Sequence, residues 1–158
     1  MSAIAIALGD PAGIGPEIVG KAWSQRDAAD LAPFFAVGDI GSLGHGWDGP
    51  VARISGPEEA ASVFREALPV LHIADSGRVT AGKPDVEGAR CALSSLELAT
   101  GLTKSGAARA LVTAPVSKAQ LYAIGFAYPG QTEFVAERCG VSAENAVMML
   151  AGPTLRVV

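Results

Sequence analysis

The chain has 158 residues, 49% of them hydrophobic and 18% charged, which suits a well-filled core at a length compatible with one domain and argues against disorder. A net charge of −4 with scattered lysine and arginine leaves no basic footprint for nucleic acid, so any phosphate binding must be local. Alanine and glycine carry much of the apolar content and aromatics make up only 6%, which favours closely packed α/β layers over an aromatic-rich sandwich.

The chain opens with the apolar run Ala3-Ile4-Ala5-Ile6-Ala7-Leu8, then Gly9-Asp10-Pro11-Ala12-Gly13-Ile14-Gly15-Pro16-Glu17, then a helical pattern from about Pro16 to Arg26. The order is strand, glycine loop, helix. Such a junction can hold an anion on unpaired N–H groups, with glycines allowing close approach. Its spacing matches neither the dinucleotide fingerprint nor the phosphate loop, so the loop is either a bare connection or a site of another kind. Asp10 likewise has two readings, as a turn or cap residue and as a site residue.

Phe34 to Gly38 reads as a buried strand, followed by a short helix starting at Asp39 or Ser42 and a loop over 44–50. Val51 to Ile54 predicts a strand, Pro57 to Leu68 a helix opened by proline and acidic residues, and Val70 to Ile73 a strand. The polar, glycine-punctuated 76–84 is a connecting arm. From Asp85 to about Lys104, Ala89, Ala92, Leu93, Leu96, Ala99 and Leu102 recur at spacings of three and four, predicting a long amphipathic helix. Ala110 to Thr113 predicts a buried strand, 119–124 a helix ended by Gly125, and 132–138 a helix ended by Gly140. Ala146 to Ala151 predicts a strand, and a further one opens at Thr154.

Strands alternating with helices predict the α/β class. Cys91 and Cys139 have no metal spacing or nearby histidine and read as a buried residue and a helix-end thiol in a reducing compartment. The N-terminus lacks a basic region, and its apolar run is broken by Gly9, Asp10 and Pro11 before membrane-spanning length, so a soluble cytoplasmic protein with no membrane partner is expected. The last residues fall inside an apparent strand. Residues 1–158 are therefore expected to be the front part of a longer protein.

Three loops follow predicted strands, where ligands gather in open α/β sheets. The second offers Thr113, Ser117 and Lys118, suited to an anion or, alternatively, a helix cap followed by a solvated lysine. In the third, Gln131 and Thr132 sit at a helix start, where Thr132 either caps or offers its hydroxyl to a phosphate. His45 and His72 lack a second ligand at metal spacing and read as structural or solvent-facing. No nucleophile elbow accompanies them.

Taken together, Gly9 to Glu17, Thr113-Ala114-Pro115-Val116-Ser117-Lys118, Pro129-Gly130-Gln131-Thr132-Glu133-Phe134 and Met148-Met149-Leu150-Ala151 resemble the PdxA family of 4-hydroxythreonine-4-phosphate dehydrogenases, in the family's order. The resemblance implies NAD- and divalent-metal-dependent (Mg, Mn, Zn or Co) oxidation of 4-phosphooxy-L-threonine at C3, then decarboxylation, on the way to pyridoxal 5′-phosphate. It also implies the two-domain α/β fold of the isocitrate and isopropylmalate dehydrogenases, as a homodimer with its active site between domains and completed by the partner subunit. Residues 1–158 are then the N-terminal part, roughly the front half, of such a two-domain enzyme, expected to be inactive alone, with an internal boundary near 76–84 or 113–130. Carried over by residue, Gln131 and Thr132 match substrate-binding positions, with Gln131 standing where the family pattern usually has histidine. Asp10, Gly13, Gly15, Thr113 and Lys118 match cleft motifs; no catalytic residue is assigned, and the family's metal ligands have no counterpart here. A related phosphorylated acid as substrate (4-phosphothreonate or 4-phosphoerythronate), or a non-catalytic anion-binding or dimerising module, are the alternatives.

Overall fold

Phe34-Phe35-Ala36-Val37-Gly38 has every residue buried, the pattern of a strand covered on both faces, and it lies in the middle of a parallel sheet. The computed structural model describes residues 2–158, apart from the side chain of Ala143. Contacts divide the chain into two units, Met1–Phe126 and Ala127–Val158.

In the first unit the elements run β1 (Ile4–Ala7), α1 (Gly15–Ser24), β2 (Phe34–Gly38), a 3-10 turn (Ile40–His45), β3 (Val51–Arg53), a 3-10 turn (Pro57–Glu59) and α2 (Ala60–Val63). They continue with β4 (Leu68–His72), α3 (Val86–Lys104), β5 (Ala110–Thr113) and α4 (Lys118–Ala123). The sheet order is β3-β4-β2-β1-β5, and every pairing is parallel.

The core forms where α1 lays Val19 and Trp23 against Leu8, Phe34, Leu43, Phe64, Leu68 and Val70. Trp23 is anchored at its polar end too, Nε1 donating to the Phe64 carbonyl at 2.8 Å. Phe34 and Phe64 meet edge to face at 4.8 Å between centroids. On β1 and β2 rests α3, whose Ser95 hydroxyl donates to the Val37 carbonyl at 2.6 Å and accepts from the Leu8 N–H at 3.2 Å. The start of α3 is capped by Asp85, which accepts from the Gly88 N–H at 2.8 Å.

Several expectations need correction. The segment predicted as a helix over 57–68 is a 3-10 turn followed by α2, which ends at Val63; Pro69 disfavours the α region for Leu68, which instead opens β4 opposite Val51. β5 is not buried: it is the sheet's edge, with Val112 47% exposed. Ser117 occupies the N-cap of α4 but makes no capping bond with its side chain.

The second unit holds α5 (Gln131–Arg138), a 3-10 turn (Ala143–Asn145), β6 (Leu150–Ala151) and β7 (Arg156–Val157). Buried Phe134 lies edge to face with Tyr128 at 5.4 Å, and the Arg138 guanidinium sits 4.3 Å from its centroid. The strand predicted over 146–151 is reduced to Leu150–Ala151, which pairs antiparallel with Arg156–Val157 across a turn where the Gly152 N–H donates to the Leu155 carbonyl. Val147, Met148, Leu150 and Leu155 are exposed. Among the described residues no helix is long and apolar enough to cross a membrane.

Candidate functional site

The sheet itself marks the place to look. From β1 the chain passes through α1 to β2 on one side, and only later, through α3, to β5 on the other. The loops after β1 and β5 therefore diverge at a topological switch point, the crevice where open parallel sheets bind ligands.

Those two loops are in direct contact. Gly9, with φ +71°, lies so close to the second loop that a Cβ there would come 2.2 Å from the Pro115 carbonyl oxygen. Only glycine fits both the angle and the space. The Asp10 N–H donates to that same oxygen at 3.1 Å. Gly15 is equally confined, its hypothetical Cβ 2.3 Å from the Leu8 carbonyl oxygen and 2.9 Å from the Ala114 Cβ, so it allows α1 to start against both strand ends. From the arm between β4 and α3, the Gly82 N–H donates to the Ala12 carbonyl at 2.8 Å and brings a third segment to the crevice.

Asp10 organises the first loop from within. Its Oδ1 accepts from the Ala12 N–H at 2.8 Å, and its carbonyl accepts from the Gly13 N–H at 2.9 Å. Two N–H groups of a junction that could hold an anion are thus engaged by Asp10 itself. Asp10 is only 3% exposed, and its Oδ2 is buried with no hydrogen-bond partner among the described residues. Burial raises its carboxyl above the usual range, the Ala12 N–H acts against that, Asp85 adds to it, and the Ser117 N–H, which points toward the carboxylate without reaching hydrogen-bond geometry, acts against it as well. A groove of about 260 Å³ opens between the three segments, lined by Asp10, Gly13, Gly82, Pro115 and Ser117 among others.

Of the other residues singled out from sequence, Thr113 ends β5 opposite Ala7 and is exposed, and Lys118 is the exposed first residue of α4. Gln131 and Thr132 open α5 in the second unit, where Gly130 is the N-cap; Thr132 does not cap with its side chain.

A second constellation went unread in the sequence, because its members lie up to 36 residues apart, from Asp39 to Asp75. Asp39, His72 and Asp75 bring three potential ligand atoms within 4.8 Å of one another. Their hydrogen bonds describe a brace instead of a metal centre. Asp39 Oδ1 accepts from the Gly41 N–H at 2.8 Å, and its Oδ2 accepts from the N–H and hydroxyl of Ser76. His72 Nδ1 accepts from the Ile40 N–H at 3.2 Å, which puts the proton of the neutral ring on Nε2, 3.3 Å from Asp75 Oδ1. Burial would raise the Asp39 carboxyl, but the Ser76 hydroxyl and N–H, the Gly41 N–H and His72 together lower it. A divalent ion would have to displace several of these bonds, so the set does not fit a catalytic metal.

Comparison with known proteins places this arrangement in context. The family model for the pyridoxal phosphate biosynthetic protein PdxA matches residues 30–158. The chain is 55% identical over its whole length to the 4-hydroxythreonine-4-phosphate dehydrogenase of Zymomonas mobilis, covering 47% of that protein. With the enzyme of the same name from Erythrobacter litoralis it shares 49% identity over 98% of its length, again covering 47% of the relative. Among solved structures, a 4-hydroxythreonine-4-phosphate dehydrogenase from Burkholderia phymatum superposes with a TM-score of 0.81 at 28% identity, over 99% of this chain and 48% of that one. The chain thus spans about half the length of the relatives it matches.

Proposed function

Because the chain belongs to the PdxA family of pyridoxal phosphate biosynthetic proteins, we propose that it forms part of an NAD-dependent dehydrogenase acting on 4-phosphooxy-L-threonine. The C3 hydroxyl is oxidised, and the resulting β-keto acid loses CO2. The observation that carries this reading is the meeting of the Gly9–Gly15 and Thr113–Lys118 motifs at the switch point of a parallel sheet, in a chain 55% identical to a dehydrogenase of that name.

NAD would supply the hydride acceptor, and the first unit's part is to shape and dry one wall of the crevice through the Gly9, Gly15 and Pro115 contacts. Gln131 and Thr132 offer an amide and a hydroxyl to the substrate. No metal step is assigned to Asp39, His72 and Asp75, whose ligand atoms are engaged with one another and with main-chain N–H groups. We further propose a cytoplasmic homodimer, and that these 158 residues need the rest of the relatives' length to turn over substrate.

The test is NADH formation by the protein at the full length of its relatives, with Mg2+, Mn2+, Zn2+ or Co2+, against the 158-residue chain alone. Activity with 4-phosphooxy-L-threonine in the long form only is expected. Activity confined to 4-phosphoerythronate or 4-phosphothreonate would reassign the substrate, and Gln131, which cannot titrate or carry positive charge, is the residue that would account for it. No NADH with any of the three substrates would remove the dehydrogenase reading.

A further inference from the structure

Within the switch-point groove one atom has no role in holding the fold. Asp10 Oδ1 and the Asp10 main chain tie the loop together, but Oδ2, on a side chain 97% buried, accepts no hydrogen bond from any described residue. An acceptor buried in this way is costly unless something completes it. Beside it stands Ser117, whose side chain makes no capping bond although it occupies an N-cap position. The remaining walls, from Ala12, Ile14, Pro84, Pro115 and Val116, present little polar surface, and no lysine or arginine lines the groove.

We propose that Asp10 is a ligand-binding residue: its Oδ2, with the Ser117 hydroxyl, receives a hydrogen-bond donor, an ammonium or hydroxyl group, of a small molecule seated in the groove. A phosphate or carboxylate is the wrong chemistry there, since it would face a carboxylate with no cation to offset it. The proposal deepens the functional reading above, on which it rests for the choice of ligands. The substrate brings an amino group and a hydroxyl, and the dinucleotide brings ribose hydroxyls, so the donor has two sources with one chemistry.

Two measurements decide it in the protein at its relatives' full length. The first follows the 13C-carboxyl resonance of Asp10 while NAD or 4-phosphooxy-L-threonine is added separately. A shift with one of them supports the assignment and names the source of the donor, whereas no shift with either overturns it. The second compares Asp10→Ala and Asp10→Asn with the parent for ligand dissociation constant and for thermal midpoint. Loss of a hydrogen bond to a charged acceptor should weaken binding of the donor-bearing ligand by about 10- to 100-fold in both variants, without a fall in thermal midpoint in Asp10→Asn, whose remaining Oδ1 still accepts from the Ala12 N–H, and with a fall in Asp10→Ala, which loses that bond. Unchanged affinity for both ligands, with a lower midpoint, would show a purely structural residue and sink the proposal. Because both readouts are of binding, a protein that binds but forms no NADH refutes the functional reading while leaving the Asp10 assignment to be judged by itself.

Discussion

Asp10 donates its main-chain N–H to the carbonyl oxygen of Pro115 at 3.1 Å, and this bond joins the loop after the first strand to the loop after the last strand of the sheet. Residues about a hundred positions apart thereby share one crevice. The glycine preceding Asp10 makes the approach feasible, and the first prediction follows from it.

Gly9→Ala should destabilise the protein more than Gly77→Ala. Both positions have φ near +70° (71° and 72°), so both substitutions incur the left-handed cost of about 1–2 kcal/mol. Only at Gly9 does the new methyl also strike backbone, 2.2 Å from the Pro115 oxygen, whereas at Gly77 nothing lies within 4 Å. Urea unfolding of the two variants measures the difference. Equal losses would mean that the two loops are not packed as described.

Asp39 and Asp10 should give acid dependences of opposite sign. For Asp39 the folded-state pKa lies below 3.8, so its contribution is present above that value and is lost as pH falls through the lowered folded pKa. For Asp10 the folded-state pKa lies above 3.8, so stability falls as pH rises through the window between 3.8 and the raised value. At neutral pH Asp39→Asn should therefore destabilise and Asp10→Asn should not. Urea midpoints collected from pH 3 to pH 7, about the range these carboxyls span, test both signs at once.

The two thiols should be distinguishable by reactivity. Burial first, then the nearby Asp39, Asp10 and Asp75 carboxylates, push the Cys91 thiol up to about 11, while Cys139 is exposed at the end of α5. Alkylation of the native protein at mildly alkaline pH should label Cys139 alone, with Cys91 following only on unfolding. Rapid native labelling of Cys91 would contradict its placement on the buried face of α3.

Ser95→Ala should be mild despite complete burial. The hydroxyl bridges the Leu8 N–H and the Val37 carbonyl, but those two groups also bond each other at 3.1 Å and stay satisfied without it. The expected loss is about 0.5–1.5 kcal/mol in chemical unfolding, the net value of one hydrogen bond. A loss several-fold larger would indicate that the direct Leu8–Val37 bond is not maintained.

Much of this molecule is legible from local chemistry. The α3 helix follows from apolar residues at spacings of three and four behind the Asp85 cap, β2 from its short continuous apolar run, and the strand–loop–helix order at Gly9 from glycine and proline placement. Even the shortened helix near Leu68 had a local signal, the conformational restriction that Pro69 imposes on the residue before it. The order of four motifs likewise pointed to the family that the comparisons show.

Tertiary structure alone decided which strands are neighbours, and with that the functional geometry. Ala110–Thr113 is as apolar as a central strand, yet it pairs on one side only, so its exposure depends on the sheet order and not on its own residues. His72 looked solitary because Asp39 reaches it only across the pairing of β2 with β4. Asp10 read equally well as a turn residue or a site residue; its sequence neighbours account for one carboxylate oxygen, and the buried, unmatched position of the other exists only once the loop from Pro115 has closed over it. Local interactions reach three or four residues along the chain, whereas desolvation is set by whatever the fold brings alongside, and the chemistry of this crevice is a matter of desolvation.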